Sequence, residues 1–303
     1  MSGNPMLSDA AFEKAGSVAV LDRGASPADE WARAQGVAGA QTLQPPPPPP
    51  DSALPAPSGP PPAPPDAVLT GRAMTLGGVA SATGLMFAVL LIGGWWGWGQ
   101  VDPGVKNPVT GEVTGVTFSA GLLWGALIIA FAFAIATAFM PKAARFTSLP
   151  YALFEGVVLG MISRMYEVQF DGIVVQAILA TAGVFVMMLV LYGLRILRAT
   201  PRFVKGVIAA TFGIMALYLA GFLFSLFGAG FSFWNDGSLL GIGISVAICA
   251  VAALNLILDF DFIEKGVAAK APAYMDWYAG FGLVVTLVWL YLEMLRLLAK
   301  IRQ

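Results

Sequence analysis

Residues 239–264 read LLGIGISVAICAVAALNLILDFDFIE, an apolar run that ends in two aspartates. No charged residue precedes Asp259 in this run, and about 20 apolar residues are enough for a helix to cross the hydrocarbon core of a bilayer. The run therefore predicts a transmembrane helix with Asp259 and Asp261 at its end. An ionised carboxylate at the centre of such a helix costs at least about 2.5–3.5 kcal/mol, so carboxylates within membranes usually line a polar path or meet a partner. These two aspartates are the first candidates for a functional site.

The composition of the whole chain indicates a membrane protein with several spans. Of its 303 residues, 57% are hydrophobic and 12% are charged, and the mean hydropathy is +0.76, values that soluble domains do not normally reach. The net charge of -1 argues against a nucleic-acid-binding surface. The chain has no histidine and a single cysteine, Cys249, which excludes His-based metal sites, disulfide scaffolds and Cys-rich zinc sites. We predict no cofactor.

The N-terminal 70 residues differ from the rest of the chain. They contain most of the prolines, including the run at 45–50, and few large apolar residues. Such a segment cannot bury enough surface to offset the entropy lost on ordering, so residues 1–70 are expected to form a disordered, proline-rich cytoplasmic tail. The polyproline run is expected to be an extended spacer or, alternatively, a docking ligand for a proline-binding domain. Residues 1–20 lack the sustained apolar core of a signal peptide.

Residues 71–303 are expected to form a transmembrane domain. Their hydropathy breaks into seven runs of about the length that spans a bilayer, separated by short connections with turn residues. The runs are 74–98, 118–140, 151–170, 173–196, 203–228, 239–259 and 277–298. The predicted fold is therefore an all-α polytopic membrane protein with seven transmembrane helices.

The distribution of lysine and arginine predicts the orientation. Basic residues concentrate in the connections after the second, fourth and sixth helices, and short loops of this kind stay in the cytoplasm. They are Lys142, Arg145, Arg195, Arg198, Arg202, Lys205, Lys265 and Lys270. The N-terminus is then cytoplasmic, in a membrane that we expect to be the bacterial plasma membrane. Arg296, Lys300 and Arg302 oppose this orientation, because seven spans place the C-terminus outside; a re-entrant span or a wrong helix count would remove the conflict.

Aromatic and small residues fit the same topology. Four tryptophans fall at predicted outer ends of helices, where amphipathic rings prefer the headgroup layer; they are Trp95, Trp96, Trp98 and Trp234. Gly156 and Gly160 have the spacing that allows two membrane helices to approach closely. We expect anchoring from the tryptophans and helix packing from the glycines.

Charged residues inside the predicted helices suggest which side chains share a site. If the chain turns near Ala268 between the last two helices, a rise of about 1.5 Å per residue places Asp259 opposite Asp276. Glu293 would lie about 25 Å further along the last helix, near the level of Arg164 on the third helix.

The expected site is an acidic inner mouth with a basic latch. Asp259, Asp261 and Asp276 would form the mouth, and the candidates for the latch or for counter-ions are Lys142, Arg145, Arg164 and Glu155. Carboxylates that are close together in a poorly solvated site cannot all ionise, so the mouth would respond to pH. Its oxygens would suit a hard cation such as calcium, held transiently at Asp259. The alternative for each charge is that it only caps a helix end at the interface.

Three short motifs resemble the transmembrane Bax inhibitor motif family over residues 74–303. They are Phe154-Glu155-Gly156 followed by Leu159-Gly160, Leu258-Asp259-Phe260 at the end of the sixth helix, and Leu290-Tyr291-Leu292-Glu293 in the last. The resemblance implies seven helices with the C-terminal helix central, and a pH-sensitive calcium leak governed by two aspartates. Asp259 matches the first aspartate, and Glu293 stands where the family has the second. The family's basic latch would fall on Lys142 or Arg145.

Three functions remain open from the sequence. The first is a channel-like calcium leak in which deprotonated Asp259, helped by Glu293 or Asp276, attracts a cation and holds the closed state through the latch. The second is an interaction protein that regulates a membrane partner, such as a quality-control protease, with the tail as a docking arm. An intramembrane aspartyl protease is disfavoured, because its Gly-x-Gly-Asp signature is absent. Walker A and Gly-x-Ser-x-Gly patterns are also missing, so we do not expect an enzyme.

Overall fold

The computed structural model describes residues 72–106, 113–227 and 238–303. The predicted disordered tail at 1–70 and the expected interfacial Trp234 lie outside these residues. Within them, seven helices are long and apolar enough to cross a membrane. The predicted all-α polytopic fold is therefore confirmed, and the protein is an integral membrane protein.

The helices follow the apolar runs closely. Their bounds are α1 Leu76–Trp98, α2 Ala120–Phe139, α3 Ala144–Gln169, α4 Ile173–Gly193, α5 Pro201–Leu226, α6 Leu239–Ala268 and α7 Tyr274–Arg302. Hydroxyl side chains define several of the starts, because the residue before the helix accepts a hydrogen bond from the exposed N–H groups of the first turn. Thr75 caps α1 in this way, Ser119 caps α2, and Ser238 caps α6.

Two helices extend beyond their apolar runs. α3 begins directly after the short 3-10 helix Pro141–Ala143, seven residues before the predicted run, and carries Pro150 inside it. α6 continues to Ala268, nine residues past the predicted end at Asp259. The hydropathy signal stops where charges begin, whereas a helix can continue into the interface as long as its charged side chains reach water.

A small β element joins α1 to α2, where the sequence analysis predicted only a connection. β1 Val101–Asp102 pairs antiparallel with β4 Thr117–Phe118, and β2 Val105–Lys106 pairs with β3 Val113–Thr114. Gly104 between β1 and β2 has a φ of 66°, which glycine adopts without a Cβ penalty.

The last helix lies at the centre of the bundle. α7 packs against α1, α3, α4 and α6, and Glu293 and Arg296 on α7 bond to Tyr218 on α5. Buried side chains occur on several sides of α7, including Val284, Leu290 and Leu295. α2 packs mainly on α3. The central position that the family resemblance implied for the C-terminal helix is therefore confirmed.

Close contact of α1 and α3 depends on glycine. A Cβ on Gly93 or Gly97 would overlap backbone atoms of α3, and a Cβ on Gly156 or Gly160 would overlap backbone atoms of α1. The predicted packing role of Gly156 and Gly160 is confirmed, because only glycine lets the two backbones meet at this distance.

The two ends of the transmembrane domain lie on opposite faces of the bundle. Near the start of α1, the Met74 N–H donates to the Ala271 carbonyl at 2.7 Å, which ties it to the α6–α7 connection. At the other face, the buried Lys300 donates to the Gly241 carbonyl at 3.1 Å near the start of α6. Arg302 donates to the Asp171 carbonyl at 2.9 Å. The cations that opposed the predicted orientation thus bond within the bundle, so they carry less weight as topology signals.

Candidate functional site

Asp259 lies inside the helix bundle, between α6 and α7. A Cβ added to Gly282 of α7 would stand 3.7 Å from Asp259 Oδ1, so the carboxyl faces the central helix where that helix has no side chain. Thr286, one turn further along α7, interacts with the same carboxyl. Asp259 Oδ2 is buried and has no hydrogen-bond partner among the described residues. A buried carboxylate oxygen without a partner is costly, and such sites are often functional.

The expected pairing of Asp259 with Asp276 is wrong. The connection between the two helices is centred near Ala271 rather than Ala268, because α6 continues to Ala268 and α7 begins at Tyr274. A shift of three residues in the turn moves the partner of residue 259 by six residues, from 276–278 to 282–284, beside the observed neighbours Gly282 and Thr286. Asp276 therefore lies about 9–15 Å away along the axis of α7.

Asp276 has a structural position at the start of α1. It is only 5% exposed, and its Oδ1 accepts a hydrogen bond of 3.0 Å from the Thr75 N–H. The carboxyl also fills the space beside Gly78, where any side chain would overlap it. A carboxylate in this place satisfies an N–H group near the first turn of α1 and complements the positive end of the helix dipole.

Asp261 is paired at the surface rather than in an acidic mouth. Its Oδ2 accepts a bond of 2.6 Å from Lys265, one turn along the same helix. Glu264 accepts a hydrogen bond from Tyr192 of α4. In the part of the chain that the structure describes, no three acidic or cysteine side chains come together in a way that could hold a metal ion. Asp259, Asp261 and Asp276 thus have separate surroundings, and the predicted convergence of all three is wrong.

Glu293 forms a buried polar cluster with Tyr218 and Arg296. The carboxylate is 2% exposed and accepts hydrogen bonds from the Tyr218 hydroxyl and from Arg296 at 3.2 Å. Arg296 also donates to the Tyr218 hydroxyl at 2.7 Å and lies 5.2 Å from the centre of its ring. The cluster attaches α5 to the central helix.

Glu293 and Arg164 are at the predicted common level but do not form a pair. The hydroxyls of Ser163 and Tyr291 are 2.6 Å apart, which aligns these parts of α3 and α7 along the bundle axis. The Arg164 guanidinium lies 5.0 Å from the centre of the Trp98 ring, in a cation–π contact. Arg164 is therefore turned towards α1.

The latch candidates lie next to the first turn of α7. Arg145 lies 6.0 Å from the centre of the Trp277 ring, and Trp277 directly follows Asp276. Lys142, in the 3-10 helix before α3, is exposed. Arg145 thus reaches the N-terminal end of the central helix, and Trp277 lies about 7.5 Å along the axis before Gly282.

Polar side chains between the start of α7 and the level of Asp259 form a layer that the sequence analysis missed. Thr83 of α1 lies beside Gly280 of α7, about 3 Å along the axis from Gly282. Ser148 of α3 is one turn before Tyr151, whose ring packs on Phe281 at 5.0 Å between centroids. The Thr83 and Ser148 hydroxyl oxygens are buried and have no hydrogen-bond partner in the described chain.

Glu155 adds a further carboxyl to this region. It is half-buried on α3, one turn beyond Tyr151. Together with Asp259, Thr83, Ser148 and Thr286, it surrounds the central helix with polar groups from three neighbours. The signal that could have revealed the layer is the presence of isolated hydroxyl residues in apolar runs, but sequence alone does not tell which face of a helix carries them.

A family model described as Bax inhibitor 1 like matches residues 4–303 of the chain. The match includes most of the proline-rich tail, to which the motif resemblance did not extend. No curated protein and no solved structure matches the chain.

Proposed function

The chain belongs to the Bax inhibitor 1 like family, and on that premise we propose that it is a pH-sensitive cation leak, with Asp259 as the proton-sensing group and calcium as a permeant ion. In this proposed topology the basic connections and the tail lie on the cytoplasmic side of the bacterial plasma membrane.

The position of the Asp259 carboxyl carries the proposal. Its Oδ2 is buried without a hydrogen-bond partner among the described residues, and its Oδ1 faces the gap at Gly282 of the central helix. When ionised, a group in this place needs compensation from water, a cation or a cationic side chain; when protonated, it needs none. The two protonation states therefore favour different arrangements of α6 and α7.

The polar layer supports a path past Asp259. Buried polar atoms in proteins are nearly always hydrogen-bonded, to protein or to ordered water. The Thr83 hydroxyl lies near the level of Asp259 and the Ser148 hydroxyl nearer the start of α7, so water that satisfied both would follow α7 up to Asp259. A hydrated path next to an acidic side chain is a suitable passage for a hard cation.

The other acids have different roles in this proposal. Asp276 holds the start of α1 against α7, and Glu293 holds α5 against α7, so both position helices around the path. Arg145 contacts Trp277 at the inner end of α7. The latch residue Arg145 therefore acts on the central helix. Deprotonated Asp259 stabilises the closed arrangement, and protonation of Asp259 favours the open one.

Calcium flux from purified protein in loaded proteoliposomes tests this function. Wild type is expected to conduct more at pH 6 than at pH 8, and Asp259→Asn is expected to conduct at a high rate that no longer depends on pH. Asp261→Asn is the matched control, because it changes the same residue type two positions away, where the partner is the exposed Lys265. A pH-independent flux in wild type, or Asp259→Asn behaving as wild type, would contradict the proposal.

A regulatory role is the alternative, and one observation favours it. The family match begins at residue 4, so the tail is part of what matches. In this alternative the chain controls a membrane partner, such as a quality-control protease, and the tail docks to it. Deletion of residues 1–70 would then abolish the cellular phenotype and Asp259→Asn would not, which is the reverse of the result expected for a leak.

A further inference from the structure

A long groove runs along the side of the bundle, and its lining includes Thr83 and Leu283 next to the Asp259 region. Its volume is about 1750 Å³, its walls are α1 and α4, and α6 and α7 form its floor. Along α1 it extends from Leu76 to Trp98, a length of about 33 Å, which matches the hydrocarbon thickness of a bilayer. Several lining side chains are exposed, including Leu91, Trp95 and Ile178. The groove therefore faces the surrounding lipid.

The two ends of the groove differ in chemistry. Trp95 and Trp98 line one end, as expected where a groove reaches a headgroup layer. At the other end the lining includes Arg195, Arg198 and Lys265. An apolar groove with a cationic mouth matches a ligand that has an apolar tail and an anionic head.

The conformation of Arg195 is a second observation at this mouth. Its φ is 59°, in the left-handed region that glycine usually occupies after a helix. The backbone has the hydrogen bonds of such a helix end, since the Ile196 N–H donates to the Leu191 carbonyl at 3.0 Å. Glycine would fit this position without strain, whereas arginine costs conformational energy and places a cation at the groove mouth. A strained arginine at the groove mouth makes its side chain a candidate ligand-binding group.

The acidic side chains at the mouth have partners within the protein. Lys265 binds Asp261 at 2.6 Å, and Glu264 accepts a hydrogen bond from Tyr192. Of the five charged residues that line the mouth, three are basic and two acidic, which leaves one net positive charge. Arg195 and Arg198 are both exposed and are placed to meet an anion.

We propose that the groove binds an anionic phospholipid, with its phosphate at Arg195 and Arg198 and its acyl chains between α1 and α4. Basic pockets between transmembrane helices bind anionic headgroups, and guanidinium groups suit phosphate through paired hydrogen bonds. A second copy of the chain, or a helix of another protein, would fill the apolar part but would leave the cationic mouth without a partner.

The test measures which lipids the full chain retains. The protein is reconstituted in nanodiscs that contain equal amounts of phosphatidylcholine and phosphatidylglycerol. It is then extracted in mild detergent, and the bound lipids are identified by native mass spectrometry. Wild type is expected to retain phosphatidylglycerol in preference to phosphatidylcholine. The double variant Arg195→Gly/Arg198→Gln is expected to lose this preference by at least about threefold. Because glycine relieves the positive φ, the single variant Arg195→Gly is expected to raise the unfolding temperature, so loss of lipid cannot be attributed to unfolding.

Matched controls separate this site from general charge and from general packing. Arg202→Gln/Lys205→Gln removes two cations at the start of α5 that do not line the groove, and it is expected to keep the preference. A Cβ would meet open space at both Gly84 and Gly77 of α1, but only Gly84 lines the groove. Gly84→Phe therefore places a ring inside the groove, and Gly77→Phe places a ring outside the groove. Only Gly84→Phe is expected to reduce bound lipid.

Three results would overturn the proposal. One is equal retention of both lipids by wild type. Another is equal loss of phosphatidylglycerol in the Arg195/Arg198 variant and in its control. The third is a dimer or a bound polypeptide, in place of lipid, that Gly84→Phe dissociates.

Discussion

The carboxylate of Asp276 accepts a hydrogen bond of 3.0 Å from the Thr75 N–H, which joins the first turn of the last helix to the start of the first. The two residues are 201 positions apart in sequence. The contact sits beside the Met74 to Ala271 backbone bond, so the start of α1 is attached to the α6–α7 connection by backbone and side chain together. Asp276 therefore has a structural role, because its hydrogen bond holds α1 against α7.

Removing this carboxylate is expected to lower stability without changing pH sensing. Asp276→Ala removes the buried acceptor of the Thr75 N–H, and losses of this kind cost about 1–2 kcal/mol. Thermal unfolding in detergent micelles measures the effect. Asp261→Ala is the control and should cost less than about 1 kcal/mol, because its partner Lys265 is 69% exposed. Equal stability of Asp276→Ala and wild type would show that the contact is not stabilising.

Glycine substitutions should separate helix contact from helix propensity. Gly160→Ala pushes a methyl group into the backbone of α1 at Gly94 and Trp98, and overpacking costs about 1–3 kcal/mol. Gly183→Ala on α4 meets open space and should be neutral or stabilise by about 0.5–1 kcal/mol, because alanine loses less entropy in a helix. The same unfolding assay gives both values. A Gly160→Ala protein as stable as wild type would contradict the close approach of α1 and α3.

A double-mutant cycle tests the bond between α5 and α7. Tyr218→Phe and Glu293→Gln each weaken the cluster, and their effects should not add, since residues in one hydrogen-bond network couple by about 0.5–3 kcal/mol. Glu293→Ala should be more harmful than Glu293→Gln, because it removes the acceptor and leaves Arg296 without its carboxylate. Thr211→Val, which removes the bond of Asn255 to α5, is the comparison at a separate contact. Additive effects of Tyr218→Phe and Glu293→Gln would place the two groups in independent environments.

Thiol labelling tests the odd number of spans. In a Cys249→Ser background, Ala269→Cys lies in the α6–α7 connection and Gln303→Cys at the end of α7. A membrane-impermeant maleimide applied to right-side-out vesicles is expected to label residue 303 only, and residue 269 only after the membrane is opened. Labelling of both positions from the same side would require an even number of crossings between residues 269 and 303.

Much of the architecture could be read from local sequence. Residues 239–258 have no charge and hence define a span wherever they sit in the bundle, since lipid requires every backbone group to be bonded within the helix. The seven apolar runs correctly predicted the seven membrane-spanning helices of the described residues. Gly156 and Gly160 indicated a close helix contact, although α1 as the partner came only from the structure.

The contacts of the acidic residues were harder to predict from the sequence. The error at Asp276 arose because the end of an apolar run was taken as the end of α6, and a shift of three residues in a turn displaces the opposite residue by twice that number. The level of Arg164 was predicted but its contact with Trp98 of α1 was not, because level follows from counting residues and contact follows from packing. Tyr218 was missed as the partner of Glu293, since nothing in the apolar run of α5 indicates which residue meets α7.

The sequence by itself determined that this protein is a seven-helix integral membrane protein of the Bax inhibitor 1 like family, because hydropathy and motif order are properties of consecutive residues. Only the tertiary structure decided that Asp259 lies against Gly282 and Thr286. It also decided that Asp276 accepts a hydrogen bond at the start of α1, and that Glu293 binds Tyr218 and Arg296. Those contacts depend on the rotation and register of helices distant in sequence, which are fixed when side chains pack around α7.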